Sequence, residues 1–211
     1  MKLPPLYPIL DTTILESHGF AVLESARTLI AAGVRILQYR HKREFTQGRY
    51  DEAAQIAEEC RSAGTEFVIN DRADFARLLN TGLHIGQDDL SPQAARQVLG
   101  RERLLGFSTH NQSQLRTAAQ SPADYLALGP MHATVSKEKP DPIVGVAELA
   151  RLRKLTDKPL VAIGGITVEN AREILAAGAD SVAVISGLLP DWPDSRILSA
   201  RVHEWLNATK Q

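Results

Sequence analysis

Eight short apolar runs, each followed by a longer amphipathic segment, constrain this 211-residue chain more than any other feature. The runs fall at 6–10, 36–39, 67–70, 83–86, 104–108, 125–129, 160–164 and 182–186. Runs this short suit strands, and the segments between them carry helical periodicity, for example at 52–63, 92–99 and 168–177. Local punctuation agrees. Ser91-Pro92 reads as an N-cap followed by Pro at the first helical position. Gly33, Gly64, Gly100 and Gly178 stand where helices should stop. Strands alternating with helices predict a parallel sheet. Eight such units in about 200 residues favour a closed (β/α)₈ TIM barrel near the small end of its size range. The competitor is a doubly wound open sheet. No linker rich in Pro, Gly or Ser divides the chain, which predicts one barrel domain over residues 1–211.

Composition narrows the function classes. Apolar residues make up 44% of the chain, enough for a sizeable core. A formal net charge of −1 argues against a dedicated nucleic-acid binder. Cys60 is the only cysteine, so no disulfide forms within the chain and no thiolate metal site is available. Met1-Lys2-Leu3-Pro4-Pro5 lacks a signal-peptide apolar stretch, and no apolar run approaches a membrane span. The expectation is a cytoplasmic enzyme that meets small molecules rather than nucleic acid or membrane. The oligomeric state is not written in the sequence.

In such barrels the chemistry lies at the C-terminal ends of the strands. Gln38, Arg40 and Lys42 end the second strand at alternate positions, so they share a face from which Tyr39 and His41 point away. Asn70-Asp71 ends the third strand and Gly86-Gln87-Asp88-Asp89 follows the fourth. Each acidic pair alone is an ordinary turn or cap. Together, Asp71 and Asp89 would come from neighbouring strand ends and could share one cation, with Asp88 pointing elsewhere. Mg²⁺ commonly takes one or two carboxylates plus substrate phosphates, so these residues predict a magnesium-bound pyrophosphate site. His84, within a strand, reads as a satisfied core histidine. Ser108 has His110 nearby but no nucleophile elbow, so substrate hydrogen bonding is the better reading. Gly164-Gly165 and Ile185-Ser186-Gly187 follow the last two strands, where barrel phosphate sites are commonly built. The connection from residue 130 to about 145 is unusually long and polar and reads as a mobile lid.

The ordered set of Gln-x-Arg-x-Lys at 38–42, Asn70-Asp71, His84-Ile85-Gly86-Gln87-Asp88-Asp89, Ser108-x-His110, Gly129-Pro130 leading to Thr134-x-Ser136-Lys137, Ile163-Gly164-Gly165-Ile166 and Val184-Ile185-Ser186 resembles the thiamine-phosphate synthases. That resemblance implies coupling of hydroxymethylpyrimidine diphosphate to hydroxyethylthiazole phosphate, giving thiamine monophosphate and pyrophosphate. It implies that Gln38, Arg40, Lys42, Asn70, Ser108 and Lys137 bind the pyrimidine diphosphate, with Arg40, Lys42 and Lys137 the catalytic cations. Asp71 and Asp89 would hold Mg²⁺. Thr134, Ser136, Gly165, Ile185 and Ser186 would bind the thiazole phosphate. The segment between the two metal acids is one residue shorter than usual, around Asn80-Thr81. His41 stands where an acid is common, Met131-His132-Ala133 replaces a more apolar stretch containing Pro, and Ser136 replaces a usual Thr.

Two alternatives accompany this reading. Related thiazole tautomerases share the fold and phosphate loops but lack the paired metal acids. They carry a histidine directly after the glycine that ends the sixth strand, where this chain has Pro130, with His132 two residues on. The other alternative is a non-catalytic barrel that binds thiamine precursors, against which Asp71, Asp89 and Lys137 argue. The sequence does not distinguish a plain from a carboxylated thiazole.

Overall fold

Each of the eight apolar runs becomes a strand. In the computed structural model, which describes residues 2–133 and 141–210, the elements follow in order. They are β1 (Leu6–Asp11), α1 (Thr12–Ser17), α2 (Val22–Ala31), β2 (Ile36–Arg40), α3 (Gln47–Ala63), β3 (Glu66–Asn70), α4 (Ala73–Leu79), β4 (Gly82–Ile85) and α5 (Pro92–Leu99). Then come β5 (Leu105–Thr109), α6 (Gln112–Ala119), β6 (Tyr125–Leu128), α7 (Val146–Leu152), β7 (Leu160–Ile163), α8 (Val168–Ala176), β8 (Ser181–Val184) and α9 (Ser195–Ala208). Neighbouring strands pair in parallel throughout. β8 pairs with β1, Leu6 opposite Val182, and this contact closes the barrel and rules out the open sheet.

Closure divides each strand into two faces. One face fills the barrel interior with Tyr7, Ile9, Ile36, Val68, Leu104, Tyr125, Ala127, Val161 and Ala183. The other packs under the helices, where Leu10, Leu37, Tyr39, Ile69, Leu83 and Leu126 meet Ala26, Leu29 and Ile56 among others. Burial on both faces explains why the strands read as apolar runs rather than as alternating sequences. Cys60 is buried in the helix-facing layer.

The punctuation behaves as its chemistry requires. The Ser91 side chain accepts from the Ala94 N–H and Pro92 opens α5. Gly64 and Gly100 cap α3 and α5, whereas Gly33 and Gly178 each follow an alanine cap by one residue. A left-handed Asn80 (φ 58°) stops α4 and turns the chain straight into β4.

One glycine inside the barrel is required by space. A methyl group at Gly106 would lie 2.5 Å from His84 Nδ1 and closer still to the Tyr125 ring. Gly106→Ala is therefore expected to overpack the interior and destabilise the fold by about 1–3 kcal/mol, measured by equilibrium urea unfolding. An unchanged unfolding midpoint would mean that the two rings yield freely.

Candidate active site

The strand register gathers the polar residues on one rim. Asp11 sits beside Arg40 across the β1–β2 pair, and Asn70 beside His84 across β3–β4. Asp71 follows at once, its N–H donating to the His84 carbonyl at 2.8 Å. Its φ is positive, a left-handed backbone that Asp tolerates better than most residues.

Gln38, Arg40 and Lys42 leave the second strand on one side, as their alternation requires, and then diverge to three partners. Gln38 is buried and its amide donates to the Tyr7 hydroxyl at 3.0 Å. Arg40 pairs with the buried Asp11 carboxylate, whose other oxygen caps α1 through the Ile14 N–H at 3.1 Å. Lys42 reaches across to the Asp71 carboxylate. The intervening residues point away: Tyr39 donates to Glu52 on α3 at 2.8 Å, and His41 bonds to Thr12 at 2.6 Å. Asp11 was absent from the sequence-based set. Its only signal is its place at the end of β1, beside a basic residue in the register.

Asp71 and Asp89 meet. The Asp71 carboxyl is pushed up to about 6, chiefly by burial. Lys42 pulls it back, and the Asp89 carboxyl against it raises it again. Asp89 also accepts from the Gly86 N–H at 2.7 Å, which folds the short loop back over the strand end. Asp88 and Asp89 are both exposed, and it is Asp89 that lies against Asp71. Two hard carboxylates are the donor set Mg²⁺ uses when substrate phosphates complete its shell. Among the described residues no group of three or more such side chains converges. Beside them, Asn70 is 5% exposed and its Nδ2 has no hydrogen-bond partner, a buried donor of the kind a substrate oxygen would satisfy.

Ser108 lies at the same end and bonds to His84 Nε2 at 2.8 Å. His84 is satisfied, as expected of a core histidine, but one of its partners is a candidate substrate-binding residue. Its other nitrogen meets the Tyr125 hydroxyl at 2.9 Å. Burial holds its pKa down to about 4, so the imidazole is neutral at neutral pH. His110 points elsewhere, to the Gly129 carbonyl at 2.9 Å and to Asp141 at 3.5 Å.

The two glycine loops occupy the far side of the rim. Gly164 and Gly165 both have positive φ, and Ile185 leads into a short 3₁₀ turn at Ser186–Leu188. The loop after β6 passes tightly over these glycines. A methyl at Gly165 would lie 2.6 Å from His132 Cβ and 2.6 Å from the Ala133 carbonyl oxygen. Thr134, Ser136 and Lys137 lie outside the described residues, as does the middle of the segment read as a lid. Its two shoulders are tied down. Met131 and His132 donate to Ile163 and Gly164 at 2.9 and 3.0 Å, and Val144 donates to Pro130 at 2.8 Å.

Comparison with known proteins bears on what this rim does. The family model described as thiamine monophosphate synthase matches residues 6–188. A thiamine-phosphate synthase of Koribacter versatilis is 49% identical over 197 residues, covering 90% of this chain and 92% of that protein. One from Syntrophomonas wolfei is 39% identical, covering 87% and 88%. A solved thiamine phosphate pyrophosphorylase from Pyrococcus furiosus superposes with a TM-score of 0.83 at 26% identity, covering 99% of this chain and 98% of that one.

Proposed function

The chain belongs to the thiamine monophosphate synthase family, and from that premise we propose that its rim couples hydroxymethylpyrimidine diphosphate to hydroxyethylthiazole phosphate, with Mg²⁺ held by Asp71 and Asp89. The carrying observation is the meeting of these two carboxylates at adjacent strand ends, beside two cations and the unpartnered Asn70 amide. When bound, Mg²⁺ would supply positive charge against the departing pyrophosphate.

The protein's own groups fit the remaining work. Arg40 and Lys42 each lie against a carboxylate, which holds both cations near the rim. On diphosphate binding Lys42 would exchange Asp71 for phosphate oxygen, freeing that carboxylate for the metal. Asn70 would donate its orphaned N–H to the diphosphate. The bond between the pyrimidine methylene and the diphosphate oxygen breaks, and the oxygen leaves with the electron pair. The electron-rich aminopyrimidine can carry the resulting benzyl-like cation, and the thiazole nitrogen supplies the pair for the new carbon–nitrogen bond. No protein nucleophile is needed. Gln38 and Ser108 would orient the pyrimidine. The loops at Gly165 and at Ile185-Ser186, with Thr134 and Ser136, would hold the thiazole phosphate. The sole cysteine is buried and unpaired, which suits a reducing, cytoplasmic location. Among the described residues no helix is long and apolar enough to cross a membrane.

The direct test mixes the purified protein with both substrates and Mg²⁺ and seeks thiamine monophosphate by mass spectrometry. Absence of product with either the plain or the carboxylated thiazole phosphate would defeat the reading. Lys137 is assigned to the leaving pyrophosphate and to shielding the cation from water. Lys137→Ala should therefore slow coupling and raise the share of diphosphate lost to the pyrimidine alcohol. The ratio of thiamine monophosphate to alcohol at matched diphosphate consumption decides, and an unchanged rate and ratio would remove that role.

A further inference from the structure

Five side chains on five different strands or strand ends form one continuous hydrogen-bonded line through the barrel. Gln38 Nε2 lies 3.0 Å from the Tyr7 hydroxyl, and Tyr7 lies 2.9 Å from the Tyr125 hydroxyl. Tyr125 lies 2.9 Å from His84 Nδ1, and His84 Nε2 lies 2.8 Å from Ser108 Oγ. Tyr7 and Tyr125 are 1% and 0% exposed, so bulk solvent does not reach either side chain. Gly106 leaves the space in which the Tyr125 and His84 rings stack, their centroids 5.5 Å apart.

Counting donors gives the line a direction. An amide nitrogen only donates, so Tyr7 accepts from Gln38. The Tyr7 hydroxyl then has one proton and one further partner, Tyr125. If it donates there, Tyr125 accepts and passes its own proton toward His84 Nδ1. A neutral imidazole that accepts on Nδ1 carries its proton on Nε2 and donates to Ser108. Ser108 then accepts from inside the protein and has its own proton free. The opposite direction would leave the Tyr7 proton buried without an acceptor, at a cost comparable to a lost hydrogen bond.

We propose that Tyr7, Tyr125 and His84 are positioning residues that fix Ser108 as a hydroxyl with its proton presented to the substrate, and so select a hydrogen-bond acceptor, such as a pyrimidine ring nitrogen, at that point. The inference rests on the assignment of Ser108 to the pyrimidine. It deepens that assignment by joining Ser108 on β5 and Gln38 on β2 into one unit. Local polarity at one end is thereby set by the amide at the other. Networks of this kind carry more than their separate pairs when every member is satisfied.

The test reads the direction itself. Protein labelled with ¹⁵N-histidine, with His84 assigned by loss of its signals in His84→Gln, should show a protonated Nε2 and a bare Nδ1. Tyr125→Phe removes the donor to Nδ1 and should abolish that preference. In steady-state kinetics with each substrate varied, Tyr7→Phe and Tyr125→Phe should raise KM for the pyrimidine diphosphate about 3–10-fold, the size of one neutral hydrogen bond. KM for the thiazole phosphate should stay near the wild-type value. A wild-type His84 protonated on Nδ1 overturns the proposal whether or not the variants fold. Equal effects on both substrates, or no effect on the pyrimidine diphosphate, also overturn it. A bare Nδ1 in a protein that makes no thiamine monophosphate would leave the relay standing and count against the functional assignment alone.

Discussion

Asp71→Asn and Asp89→Asn should each reduce the coupling rate by about 10²-fold or more, the scale on which removing one preorganised electrostatic contact from a charge-separating step is felt. Asp88→Asn should cost far less. Asn is the informative replacement. At position 71 it tolerates the left-handed backbone that Ala would strain. At position 89 its carbonyl can still accept from the Gly86 N–H that Asp89 holds at 2.7 Å. What is lost is charge, with geometry kept. Asp88 takes no part in the meeting of Asp71 with Asp89. The measurement is the initial rate across a Mg²⁺ titration. The two damaging variants should need more Mg²⁺ or fail to saturate, while Asp88→Asn should follow the wild-type curve. Equal and small losses in all three would dissolve the metal assignment.

The barrel was legible because its cause is local. Strand runs, helix periods and caps such as Ser91-Pro92 are written in consecutive residues, and the count of eight units favours a barrel; an open sheet would bury both strand faces equally well, and the β8–β1 pairing decides against it. Gln38, Arg40 and Lys42 were legible through strand parity, and Asn70 and Asp71 through their place at the end of the third strand. Their partners were not. Asp11 meets Arg40 only because β1 and β2 register as they do. Tyr7 and Tyr125 lie 118 residues apart in the chain and meet at 2.9 Å only in the closed barrel. Each looks like an ordinary aromatic of an apolar run. Their interior parity was available, and a hydroxyl on a buried interior face is a request for a partner, but nothing in one strand names the partner on another. The same limit applied to His84, whose satisfied state was foreseen and whose link to Ser108 was not. The glycine pair at 164–165 was read as room for an anion; the passage of His132 and Ala133 over it adds a second demand that only the fold reveals.

That second demand makes Gly165→Ala a methyl that the chain at 132–133 must move to accept. The added carbon would sit 2.6 Å from both His132 Cβ and the Ala133 carbonyl oxygen, so the chain at 132–133 must move. This stretch leads directly into Thr134, Ser136 and Lys137, the residues assigned to the thiazole phosphate and to the leaving pyrophosphate. Gly165→Ala should therefore raise KM for the thiazole phosphate at least about 10-fold, the equivalent of roughly 1.4 kcal/mol, and lower kcat as well. A pure loss of anion contact would leave kcat nearly intact. The substitution also forces Ala into the left-handed backbone that Gly165 adopts. That conformation alone costs a residue with a Cβ roughly 1–2 kcal/mol of stability. Gly64→Ala separates the two effects. Gly64 shares the left-handed backbone and has nothing within 4 Å of the added carbon, so it imposes the same backbone cost at the end of α3 without moving a neighbour. Both variants should lose similar amounts of stability in urea unfolding, with Gly165→Ala somewhat worse. Only Gly165→Ala should change the kinetics. Matching kinetic losses in the two would mean that general softening of the barrel, and not displacement at 132–133, controls the thiazole side of the site.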